Sequence, residues 1–188
     1  MVSAQQSQEK RRKNRIALLS AFDLVHAIVI TLVVVSLMLA FVVRTVGVYG
    51  DSMEPTLNHG DRLLLTSYST DYAKGDIVVV DRYTEEPLIK RVIAVAGDTV
   101  FISDGYLLYV NGVPQIEPYI QGYTVHRDLK EPVTVPEGHV FVLGDNRTVS
   151  KDSRMKVIGM VSEKDIVGRV VGRIWPLSEI GGVYDNIK

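Results

Sequence analysis

Ser52 stands in Gly50-Asp51-Ser52-Met53-Glu54-Pro55-Thr56-Leu57. Pro55 pushes Glu54 toward extended backbone, so the serine falls on a defined, irregular bend. A serine hydroxyl is a weak nucleophile until an adjacent base takes its proton. A second stretch, Leu88-Ile89-Lys90-Arg91-Val92-Ile93-Ala94-Val95, sets two bases, Lys90 and Arg91, inside an apolar strand. On a strand Lys90 shares one face with Leu88, Val92 and Ala94, while Arg91 shares the other with Ile89, Ile93 and Val95. A buried charge is costly without a partner. Lysine can answer by shedding its proton near neutral pH, whereas arginine cannot and needs a counter-ion. The third polar stretch, Gly144-Asp145-Asn146-Arg147 through Ser150, Lys151, Asp152, Ser153 and Arg154, follows an apolar strand. Taken singly, these are a serine in a turn, an edge strand whose bases reach water, and a solvated loop.

The elements that must position these residues begin with an anchor. Residues 24–43 carry no formal charge, and His26, Thr31 and Ser36 are their only polar side chains. About 20 apolar residues suffice for a spanning helix. The cluster Lys10-Arg11-Arg12-Lys13-Asn14-Arg15 precedes the run, and Arg44 is the only base beyond it until Arg62. Basic residues beside a span stay cytoplasmic. A tail over 1–23, a single span over 24–43 and an extracytoplasmic domain over 44–188 are therefore expected. A cleaved signal peptide fits less well: its apolar core is about 7–15 residues with small residues after it, and here Val42-Val43-Arg44-Thr45 follows.

Beyond the span, short apolar segments alternate with Gly, Asp, Asn and Pro. Strands are expected at 62–66, 76–82, 88–96, 99–102, 106–110, 113–116, 140–143 and 165–175, with a frayed tail over 177–188. Asn111-Gly112 signals a type I′ hairpin, and most of the Gly-Asp pairs read as turns. The implied fold is all-β, an antiparallel barrel-like domain behind one N-terminal transmembrane helix. The absence of cysteine excludes disulfides and thiolate metal sites. Histidines 26, 59, 126 and 139 lack metal-ligand spacing, and no phosphate-binding glycine loop occurs. No metal, cofactor or nucleic acid is expected, and the balance of 21 basic against 22 acidic residues agrees on the last.

Together the stretches resemble the bacterial type I signal peptidase family, in its short Gram-positive form. Ser-Met-x-Pro-Thr-Leu, Gly60-Asp61-Arg62, Lys90-Arg91-Val92 with Gly97-Asp98, and Gly-Asp-Asn-Arg with Ser-x-Asp-Ser-Arg occur in the family's order behind an anchor. The resemblance implies a serine endopeptidase with a Ser52/Lys90 dyad that cuts signal peptides from exported preproteins after small-x-small residues, through an acyl-enzyme. It implies that Ser150 orients the base, that Arg91 pairs with Asp145 and Asp152 with Arg154, and that Ser52 N–H serves the oxyanion hole. Preproteins, membrane lipid and the secretion translocon are the implied partners, at the outer face of the cell membrane. Gly50 stands where some members carry a serine as second oxyanion donor, and Thr148-Val149 replaces an Asp-Asn pair before Ser150. The eight residues from Arg44 to Ser52 reach at most roughly 26–29 Å, so the site is expected near the bilayer. Exposed apolar side chains around it, Met53 among them, are expected to touch lipid. Two rivals are weaker: a self-cleaving SOS-repressor-type peptidase would carry a DNA-binding helix-turn-helix and no span, and a non-enzymatic anchored protein would have no use for a buried lysine.

Overall fold

The computed structural model describes residues 22–36, 43–66, 71–81 and 86–184, which fall into two units parting between Val42 and Val43. In the first, residues 22–36 form a helix whose every residue is exposed. It holds the first part of the apolar run, while residues 37–42 and the basic cluster lie outside the described residues. Among the described residues no helix is long and apolar enough to cross a membrane. Val43, expected as the last residue of the span, instead opens a strand.

The second unit is built from antiparallel strands. They are β1 (Val43–Gly47), β2 (Arg62–Thr66), β3 (Ile77–Val80), β4 (Leu88–Val95), β5 (Thr99–Ile102), β6 (Leu108–Val110), β7 (Val113–Pro114), β8 (Val133–Thr134), β9 (His139–Leu143), β10 (Val161–Ser162) and β11 (Ile166–Trp175). A seven-stranded sheet runs β1-β2-β11-β3-β4-β9-β10, and a four-stranded sheet runs β7-β6-β5-β8. Among the described residues β1 and β10 do not pair, so the larger sheet is an open, barrel-like surface. The smaller one fills the interval between Lys90 and Gly144.

Valine and isoleucine suit the pleated, buried surface of these strands. β4 lies inside the larger sheet between β3 and β9, which is why its six central residues are all buried. Strict alternation along β4 holds only to Val92. A bulge against β9 between Val92 and Ala94 re-aims the chain. Ala94 consequently packs with Ile93 and Phe141, while Val95 joins Leu88 and Val92. The expected Asn111-Gly112 hairpin is present, with φ of 54° and 75° and Val110 paired with Val113. β1 had been hidden by the apolar run, and β8 and β10 are two residues each, too short to show alternation.

The tail expected to fray is instead packed. Arg173 and Gly181 exchange backbone hydrogen bonds of 2.9 and 3.2 Å. Val183 is 4% exposed in the core with Leu63 and Ile77. Tyr184 OH donates to Val170 O at 2.6 Å and accepts Ile77 N–H at 3.1 Å. Those two side chains anchor a segment that its Gly and Pro content alone would leave loose. Residues 185–188 lie outside the described residues.

Candidate active site

Three segments meet at one end of β4. The turn after β1 carries Ser52, β4 carries Lys90 and Arg91, and the loop after β9 carries 144–154. The loop is hung on the serine turn, because Asn146 N–H donates to Ser52 O at 3.1 Å. Gly144 explains the closeness. Unlike Gly50, Gly60, Gly75 and Gly97, it has no positive φ. A β-carbon there would run into the Ser52 carbonyl oxygen and the Ser150 hydroxyl.

Lys90 is 2% exposed. Its Nζ lies 2.7 Å from Ser52 Oγ and donates to Ile89 O at 2.9 Å. Burial pulls the ammonium down to about 8, although the Asp152 and Asp145 carboxylates pull the other way. An amine this close to a hydroxyl, with its charged form disfavoured, can act as a proton acceptor near neutral pH.

Arg91, on the opposite face, is fully buried. Nε and Nη2 grip Asp145 at 2.9 and 2.6 Å. Nη1 donates to Gly75 O at 3.0 Å, and the guanidinium lies 4.1 Å from the centre of the Tyr119 ring. Thr56 Oγ1 donates to Asp145 Oδ2 at 2.5 Å, tying the far end of the serine turn to the same carboxylate. Arg154 similarly grips Asp152 through Nε and Nη2 at 2.8 and 2.9 Å. Burial alone would raise the Asp152 carboxyl, but the hydrogen bonds and charge of Arg154 outweigh it and hold it below the usual carboxylate range. Gly144 N–H also donates to Asp152, at 3.2 Å. Ser150 is fully buried beside these groups, yet its hydroxyl meets no partner in hydrogen-bonding geometry, Lys90 included. It is near enough to Asp152 to help lower that carboxyl.

Gly50 has φ 78° and its N–H donates to His59 Nδ1 at 3.1 Å. Met53 corrects an expectation. It is 1% exposed and packs with Leu57 and Leu63, so it is not a surface group for lipid. Tyr49, 71% exposed, is the outward-facing side chain instead. A cleft of about 350 Å³ opens on Ser52 and Lys90, walled by Val48, Tyr49, Met53 and Leu88.

Glu117, Tyr119 and Thr124 were not foreseen, and Arg147 was seen only as part of a motif. Arg147 Nη1 and Nη2 bind Glu117 at 2.8 and 2.6 Å, Nη1 binds Thr124 Oγ1 at 2.6 Å, and Nε donates to Gly144 O at 3.1 Å. Glu117-Pro118-Tyr119 lies in a turn-rich stretch without periodicity, so no pattern marks it. The one available signal was an unpartnered arginine in the polar loop.

Comparisons with known proteins bear on the family of the chain. The family described as "Signal peptidase, peptidase S26" matches residues 21–175. A signal peptidase I of Bacillus licheniformis is 37% identical over 174 residues, covering 86% of this chain and 92% of its own. A signal peptidase IB of Staphylococcus aureus is 37% identical over 172 residues, 81% of this chain and 88% of its own. The crystal structure of a signal peptidase I from Enterococcus faecalis aligns with 53% of this chain and 96% of its own at 31% identity, but its TM-score of 0.42 is too low to bear on the fold. By the extent of the family match and these identities, the chain belongs to the signal peptidase family, peptidase S26, and is a serine endopeptidase.

Proposed function

We propose that the protein is a single-span membrane endopeptidase that removes signal peptides from exported preproteins, with Ser52 as nucleophile and Lys90 as general base. The 2.7 Å approach of a buried lysine to a serine that opens on a cleft carries this reading. Neutral Lys90 accepts the Oγ proton as Oγ adds to the scissile carbonyl, and Ser52 N–H stabilises the oxyanion. The Lys90 ammonium then protonates the departing amine, leaving an ester on Ser52. Water adds to that ester as Lys90 takes one of its protons, and collapse returns the hydroxyl and frees the carboxylate. Arg91 with Asp145, and Asp152 with Arg154, keep the base and the loop in place, while Ser150, buried beside Asp152, is the hydroxyl assigned to orient Lys90.

The small volume of the cleft, and Val48, Met53 and Leu88 in a lining that also holds Glu86 and Lys151, support a preference for small side chains before the cut, of the Ala-x-Ala kind. The exposed apolar helix over 22–36 supports an anchor over 24–43 with the N-terminus cytoplasmic and the catalytic unit outside, beside lipid and the translocon. The test is cleavage of a preprotein by the full chain in detergent. A new N-terminus directly after an Ala-x-Ala site, absent with Ser52→Ala, is expected. Equal cleavage by Ser52→Ala would overturn the reading.

A further inference from the structure

The ladder between β1 and β2 continues past the strands toward the serine turn. Val48 N–H donates to Asp61 O at 2.8 Å, and Gly60 N–H donates to Val48 O at 3.0 Å. The next rung is not made by backbone on both sides. Gly50 N–H donates to Nδ1 of His59 at 3.1 Å, and that ring stands edge-on to Tyr49, with centroids 6.1 Å apart at 75°. Gly50 has φ 78°, and nothing lies within 4 Å of where its β-carbon would be. Glycine is the least restrained of residues, so sterics at Gly50 do not fix the Tyr49–Gly50 peptide, although Ser52 is itself held at its carbonyl by Asn146 N–H. The imidazole supplies the restraint.

We infer that His59 is a positioning residue for catalysis. By accepting the Gly50 N–H it holds the Tyr49–Gly50 peptide, and through it sets the attitude of Ser52 two residues on. The inference rests on Ser52 being the nucleophile. The role asks for one acceptor only, the Nδ1 lone pair, which an amide oxygen can also supply.

The experiment compares the full chain in detergent with His59→Asn, His59→Leu and Ser52→Ala at about pH 9, where the base Lys90 is neutral. Asparagine places an amide oxygen near the position of Nδ1 and does not titrate. At about pH 9, His59→Asn should turn over within about twofold of the parent. His59→Leu should lose about three- to tenfold in kcat with little change in KM, the scale of one ordinary hydrogen bond. Parent-like turnover of His59→Leu, or equal losses in His59→Asn and His59→Leu, would overturn the inference. Continued cleavage by Ser52→Ala would instead overturn the assignment of the nucleophile on which it stands.

Discussion

Gly144 is pressed against Ser52: there is no space for a β-carbon between its Cα and the Ser52 carbonyl oxygen. The polar loop can therefore reach the nucleophile only with glycine at its head. Gly144→Ala must separate the two segments and break the 3.1 Å bond from Asn146 N–H to Ser52 O. Overpacking of this kind costs about 1–3 kcal/mol. Unfolding midpoints should fall by that amount, and turnover should fall further because Ser52 itself moves. An alanine variant with parental turnover would show that the loop can retreat without consequence.

Arg91 and Asp145 form a bidentate pair that is almost wholly buried. Removing one partner strands the other's charge, at about 3–5 kcal/mol. Arg91→Ala and Asp145→Ala should each lose that much in denaturant unfolding, and Thr56→Val, which keeps the pair, should lose less. Both alanine variants melting and turning over like the parent would mean the pair contributes nothing.

Activity should rise with pH through the depressed Lys90 value of about 8, since the neutral amine is the working form. Stability should move the same way. Above about 8 the folded chain has released the proton while the unfolded chain keeps it up to the ordinary lysine value of 10.5, so the unfolded state binds more protons and raising the pH favours folding across that window. Between about pH 8 and 9.5 the parent should gain on the order of 2 kcal/mol relative to Lys90→Met. Parallel pH–stability curves for the two would contradict a buried, titrating Lys90.

Lys90→Arg retains the positive charge but cannot give up its proton at usable pH. Lys90→Arg and Lys90→Ala should both be inactive while folded, as judged by circular dichroism and melting. Turnover of folded Lys90→Arg within about tenfold of the parent, a barrier difference of about 1.4 kcal/mol, would refute Lys90 as base.

Protease added outside intact cells should digest the unit that begins at Val43 and spare an epitope fused before Met1. The asymmetry between the basic cluster at 10–15 and the lone Arg44 beyond the apolar run is the reason. A protected C-terminal unit would place the enzyme on the wrong side for exported substrates.

The amino-acid order alone made several things readable, all of them local. Asn111-Gly112 dictates positive φ and hence a hairpin, and the apolar flanks of Lys90 and Arg91 put two bases on one strand, on opposite faces. The order of the serine turn, the basic strand and the polar loop pointed to one family. Other features needed contacts between distant residues. Ser52 and Lys90, 38 residues apart, meet only because β4 is an interior strand whose first residues lie beside the serine turn. Met53 is buried because the turn folds its side chain onto Leu57 and Leu63. Alternation along β4 fails at Ile93 because a bulge inserts one residue against β9. Arg147 finds Glu117 across 30 residues of irregular chain, where no period could announce it. Periodicity and turn chemistry act through neighbouring dihedral angles and can be read along the chain; pairing, burial and close approach depend on which segments share a space, which the tertiary structure alone decides.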